Sequence, residues 1–571
     1  MRGLGSLACA ASALALSACG GGGGGSGSSS ADSGIVRITP TPSPSPTPTA
    51  APVTRAEAVR LAKQATFGPT TEVVDRITRA GVNGWIDQQF ATIGSTYQDI
   101  ADRTSVRLDY CTTNPTIPQC TRNYFSREPV AMRFYADAMS APDQLRQRVA
   151  FALSQLLVAS EVEVASTSGI AAYNQILLDG AFGNYRDVLQ RVTLSSFMGN
   201  YLDMADSNRT APSENYAREM LQLFSMGPDA LNMDGTPQRD ASGGTVPNYT
   251  TDDIKAVSRA LTGWTYARVG GAAITDGNAR DYAKPMITVP ARYDTTAKTF
   301  FGTTVPAGAS QEDSVRITVD AAFNHPSTAP YVSKFLIQHL VTSNPSPGYV
   351  GRVAAAFANN GAGVRGDMKA VIRAILTDTE ARTTGNDSKS PAAKVKEPIL
   401  MMTALMRVVG MSTSGYPFVT QDANLGQGVF RSPSVFNFYP PDYPLPGNTN
   451  IKSPPSKLVT TTNVLRVHNL IYNWTIAGDQ NRGEFVNDPG LINWTSSRTD
   501  WTEWENLRDI DAAIAEIDLL MLGTRMTDQQ KAALKAAATA ITNTDPALQA
   551  RRRAQTMIYI VATSPHFLVD R

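Results

Sequence analysis

Histidine and cysteine are both scarce in this chain. Four histidines occur in 571 residues: His325, His339, His468 and His566. None forms an H-x-x-x-H pair and no two stand close together, so the spacing offers no shared metal site and no metal is expected. Net charge is lacking too. Lys plus Arg number 51 and Asp plus Glu 50, a balance of +1. That argues against a dedicated nucleic-acid binder and provides no general attraction to anionic lipid. Charged residues make up only 18%, so the surface is more neutral than that of an ordinary cytosolic enzyme. There is no G-x-S-x-G elbow and no Walker loop. The glycines from Gly20 to Gly25 follow an apolar start rather than a strand, so no phosphate-cradling loop and no cofactor are expected.

Long apolar runs are missing as well. The first, at 4–16 behind Arg2, is shorter than the roughly 20 residues that span a bilayer, and has the shape of a signal-peptide core. Leu16-Ser17-Ala18-Cys19 follows, with small residues before a cysteine, as in the bacterial lipoprotein box. This predicts a signal at 1–18 and lipidation of Cys19; the alternative is an ordinary signal peptide cut nearby. Several acyl chains anchor stably where one does not, so the membrane would be a partner through the lipid. Gly21 stands where an Asp would favour inner-membrane retention. The expected location is therefore the bacterial cell envelope, the outer membrane favoured, with the body in the periplasm or at the cell surface. Residues 19–54 run from Gly-rich through Ser-rich to a Thr-Pro-Ser-Pro stretch, which cannot form a core and reads as a disordered tether. With Cys9 leaving in the signal and Cys19 lipidated, Cys111 and Cys120 remain. They flank Pro115 and Pro118 and are expected to form a local disulfide in an oxidising compartment.

Residues 55–571 read as a single large helical body, mainly α, with small β-hairpin excursions. Leu145, Val149, Ala152, Leu153, Leu156 and Leu157 recur at helical spacing over 144–160. Tyr216, Met220, Leu223 and Phe224 do so over 215–226, and Ile254, Val257, Ala260, Leu261 and Trp264 over 251–264. Further helices are expected at 332–342, 348–358, 368–377, 393–409, 461–474, 505–522, 528–541 and 546–563. Short strands are expected near 285–289 and 299–303, and a Gly-rich hairpin within 231–249, where Asp234-Gly235 and Ser242-Gly243-Gly244 mark turns.

Several segments, in order, resemble one bacterial family. Ala65-Thr66-Phe67-Gly68-Pro69-Thr70 and Gly84-Trp85-Ile86-Asp87 open the likeness, and Gln144-Leu145-Arg146-Gln147-Arg148 continues it. The segment Glu214-Asn215-Tyr216-Ala217-Arg218-Glu219-Met220-Leu221-Gln222-Leu223-Phe224 carries most of it, followed by Leu261-Thr262-Gly263-Trp264 and Ser564-Pro565-His566-Phe567. Together these resemble the domain-of-unknown-function 1800 family. The resemblance implies an exported, largely helical protein of unassigned role. It also implies a possible partner in a companion family resembling sulfatases and phosphatases. It supplies no catalytic residue.

Chemistry must then be sought residue by residue. Asn215, Arg218, Glu219 and Gln222 share one helical face, on which Glu219 is a candidate acid or base, or else one half of an interhelical ion pair. Asp252 and Asp253 are candidates for a second carboxylate, or else simply charge placed at a helix start. Around 430–443, Arg431, Phe436, Asn437, Tyr439 and Asp442 compose an aromatic, polar loop suited to a carbohydrate or peptide, or else folded inward over the core. Two functions follow: an anchored binding or assembly scaffold, and a carboxylate-based hydrolase of envelope glycans or polymers. Whether the protein is an enzyme stays open at this point.

Overall fold

Thr54 starts the first helix. Its hydroxyl accepts the Glu57 N–H while the Glu57 carboxylate accepts the Thr54 N–H at 2.8 Å, a reciprocal cap from which Arg55–Ala65 runs. Our computed structural model describes residues 53–275, 277–383, 393–477 and 482–570. The expected signal, Cys19 and nearly all of the tether lie outside these residues. The described residues form 25 α-helices, with five two-stranded antiparallel ladders between them. The chain is mainly α, and none of its described helices is long and apolar enough to cross a membrane.

Gln144–Leu156 lies at the centre, packed against Thr71–Ala91, Glu128–Ser140, Thr167–Gly180 and Thr328–Leu340. Leu145, Val149, Ala152, Leu153 and Leu156 are buried as their spacing requires, but so are Gln147, Arg148 and Gln155. A helix buried on most sides leaves polar residues little solvent: Arg148 and Gln155 find partners inside, whereas Gln147 Nε2 has none among the described residues.

Helix boundaries shift where tertiary contacts compete. The expected helix at 393–409 begins only at Pro398, because Lys394–Val395 pairs antiparallel with Val569–Asp570. Proline fits the first helical turn, where its missing N–H costs nothing. The expected 505–522 helix divides into Thr502–Asn506, Ile510–Ile517 and a π-turn at Asp518–Leu522. Asp509 interrupts it by capping Ala512 with its side chain. The expected 251–264 helix stops at Ala260, since Gly263 (φ +87°) turns Trp264–Thr265 into a strand against Ile287–Thr288. Likewise Asn215–Gln222 is shorter than expected, and Gly227 (φ +75°) closes its exit where a Cβ would strike the Tyr331 ring. The expected Gly-rich hairpin forms as nested bridges, Asp229 with Pro247 and Arg239 with Thr245. Cys111 and Cys120 are joined, with their Cα atoms 5.5 Å apart.

Candidate ligand-binding basin

On Asn215–Gln222, Arg218 pairs with Glu214 at 3.1 Å, not with Glu219. Glu219 has no ion pair among the described residues. Its Oε2 is buried without a hydrogen-bond partner among the described residues, and burial raises its pKa, with Arg218 only partly offsetting the effect. Tyr201, Tyr249 and Tyr331 all feel its charge. Asn215 is exposed and donates to Asp203 at 2.6 Å, and Gln222 is half-buried. Asp253 closes a capping box with Thr250 and accepts the Phe301 N–H at 2.8 Å. Asp252 is exposed beside Lys255, at 3.3 Å. Both acids do the work of a helix start.

The aromatic loop divides between inside and outside. Phe436, Arg431 and Asp442 are exposed, whereas Asn437 and Tyr439 are buried. Asn437 donates to Gln155 Oε1 at 3.0 Å, and the Tyr439 hydroxyl lies 2.7 Å from Glu397 Oε2. Glu397 also receives the Gln155 and Gln427 amides. Beside it, Arg148 and Lys394 both donate to the His339 carbonyl at 2.6 Å. His339 stacks on Phe335 and is held down to about 4 by burial, so its ring stays neutral. Lys394, wholly enclosed, is lowered to about 7 by burial. The crevices around this network measure only about 10 and 30 Å³, room for about one water molecule. The network therefore holds the fold together and offers a substrate no place.

A larger space lies elsewhere. A cavity of about 620 Å³ opens between a disulfide hairpin, the short helices Tyr110–Thr113 and Cys120–Tyr124 linked by Cys111–Cys120, and the segment that follows Trp264–Thr265. Such a volume falls within the range of small-molecule sites, about 300–1,000 Å³. Arg107, Asp109, Tyr124 and Phe125 form the hairpin wall, braced by the Cys111–Cys120 bond and by packing of Tyr110 on Tyr124. Ser166 and Ser168, at the start of Thr167–Gly180, form another part of the lining. The opposite wall is a small ladder-like turn in which the backbones of Arg268 and Arg280 form a single isolated antiparallel bridge, completed by Tyr282 and Arg292. Asp281 ties the walls together, accepting from Ser105 at 2.7 Å. Arg292 and Arg280 approach Asp206 at 2.5 and 3.9 Å, and Arg107 pairs with Asp109 at 3.1 Å. Arg268 is 8% exposed; among the described residues it reaches the Tyr266 carbonyl, at 3.3 Å, and its Nε has no partner.

Sequence reasoning missed this basin. Its arginines are spread over 107–292, and only the ladder and the disulfide bring them together. Arginines recurring within a Gly-rich insertion were the available signal.

Taken together, these features define a large helical protein with an arginine-lined basin walled by a disulfide hairpin. The chain belongs to the family described as protein of unknown function (DUF1800), which matches residues 60–569. No curated protein and no solved structure matches it.

Proposed function

We propose that the protein is a lipid-anchored binding or assembly scaffold of the bacterial cell envelope. On this reading, Cys19 carries the lipid and residues 19–54 hold the body away from the membrane, the outer one favoured. The basin receives the ligand or partner. The observation that carries the reading is the 620 Å³ cavity itself, whose walls are braced by a covalent bond and by the Asp281–Ser105 contact. A rigid preformed site loses little ordering entropy on binding. A companion resembling sulfatases and phosphatases is a candidate partner. The test is affinity capture from the native envelope with wild type and with Gly277→Trp, which places a large ring at the rim where an added Cβ meets open space. Capture that is lost in the variant supports the basin; equal capture refutes it.

The second reading is a hydrolase of envelope glycans or polymers. It is favoured by one observation, the half-buried Glu219 carboxylate that has no ion-pair partner among the described residues and whose pKa is raised by burial. Turnover of an envelope polymer that disappears in Glu219→Gln would establish it.

A further inference from the structure

We propose that the basin binds an oxyanion, a carboxylate or a phosphate ester carried on a small polyhydroxylated molecule, with Arg268 as its seat. This rests on the basin being the binding site. Charge bookkeeping leads there. Among the described lining residues, four arginines face two aspartates; Asp276, between Thr275 and Gly277, lies outside the described residues. Asp109 is taken by Arg107. Asp206 is shared between Arg292 and Arg280 and also accepts the Thr265 hydroxyl at 2.7 Å. Arg268 is left with a carbonyl and no carboxylate among the described residues. Burying a guanidinium with no acid among the described residues is a cost that an anionic ligand would remove.

The backbone adds a second argument. Arg268 and Arg280 stand opposite one another in an antiparallel bridge, an arrangement that like charges disfavour. Arg280 is partly compensated by the Tyr266 ring at 4.3 Å and by Asp206. Among the described residues Arg268 has neither an aromatic face nor a carboxylate beside it. The start of Thr167–Gly180 also opens on this cavity, with its N-cap Ser166 and with Ser168 in the lining. The positive end of a fourteen-residue helix therefore adds to the same field. The planar guanidinium fork matches carboxylate and phosphate oxygens in pairs. Hydroxyl and amide groups of Ser168, Thr275 and Asn278, with the Tyr282 ring, suit the polar edges and apolar faces of a sugar or polyol.

The test is calorimetry on the full mature chain with glucuronic acid, glucose 6-phosphate and glucose. At least one acid should bind about ten-fold or more tightly than glucose, and the better one identifies the oxyanion. Arg268→Met should abolish that preference and Arg268→Lys should retain part of it, because the charge survives without the fork. Neither acid exceeding glucose on wild type overturns the inference. If Arg268→Met fails to fold by circular dichroism, Gly277→Trp decides: loss of the preference supports the seat, and an unchanged preference places the anion elsewhere and overturns it. The two levels separate cleanly. With no acid preference but envelope capture still lost in Gly277→Trp, only the oxyanion falls; with capture intact in that variant, the basin falls too.

Discussion

The Tyr439 hydroxyl donates to Glu397 Oε2 at 2.7 Å, joining the aromatic loop to the residue just before the Pro398–Val409 helix. Both side chains are buried, and burial with the nearby carboxylate pushes the tyrosine pKa far above its ordinary value. The loop is thus fastened from within. Tyr439→Phe removes one donor from a buried carboxylate and should cost about 1.5–3 kcal/mol in urea denaturation. Phe436→Ala, on the exposed face of the same loop, should stay within about 0.5 kcal/mol of wild type. Equal effects from the two would show that the loop is held by something other than this network.

The disulfide should matter locally and at the basin. Its closed loop is short, with a sequence separation of 9. Replacing Cys111 and Cys120 with serine should cost roughly 2–3 kcal/mol by chain entropy. Because Tyr124 and Asp109 line the basin beside the hairpin, envelope capture should also weaken in the double variant. Unaltered capture, alongside a loosened hairpin in hydrogen exchange, would detach the disulfide from binding.

Asp137 predicts a pH dependence. Burial raises its pKa from 3.8 to about 7, and Oδ2 has no hydrogen-bond partner among the described residues. The folded state therefore holds a proton that the unfolded state releases, so this group's stabilising contribution is full below about pH 4 and is lost as pH rises through about 7. Asp137→Asn should change little at pH 4 and stabilise by about 2 kcal/mol at pH 8, a figure discounted for partial exposure. Lys63 and Lys394, lowered to about 7 by burial, act in the opposite sense: the unfolded state binds more protons above pH 7, so their term rises with pH. The measurement is therefore variant minus wild type at each pH. A difference that does not grow with pH would contradict the assignment.

Glu219→Gln should leave the melting temperature unchanged or raise it, because the charge it removes has no ion-pair partner among the described residues and one of its oxygens is already unsatisfied there. Melts at pH 8 check this. A fall equivalent to about 3 kcal/mol or more is the signature of a broken buried ion pair and would reveal a partner for Glu219.

Lipidation is tested at Cys19. Cys19→Ala should release or leave unprocessed a protein that wild type holds at the membrane, and mass analysis of the mature N-terminus should find lipid on wild type alone. An unmodified N-terminus at another residue would refute the anchor.

Local rules determined much of this protein. Met368–Thr377 starts and stops where its apolar spacing says, because Asp367 caps it and Val371, Ile372 and Ile375 face one side. The Cys111–Cys120 pairing and the inward-facing His339 were likewise legible, since each depends on nearby residues or on a single buried stripe. Tertiary structure decided the rest. No local pattern in 393–409 distinguishes a helix from the strand at Lys394–Val395, because the competing partner, Val569–Asp570, lies at the far end of the chain. The partner of Arg218 turned on which of two neighbouring acids faced outward, and that depends on what the helix packs against. The basin needed long-range assembly most of all: Arg107, Arg268 and Arg292 share a cavity only after a disulfide hairpin, a helix start and a small ladder converge. Periodicity reports which side of an element is apolar; it carries no information on which distant charges the fold will bring together.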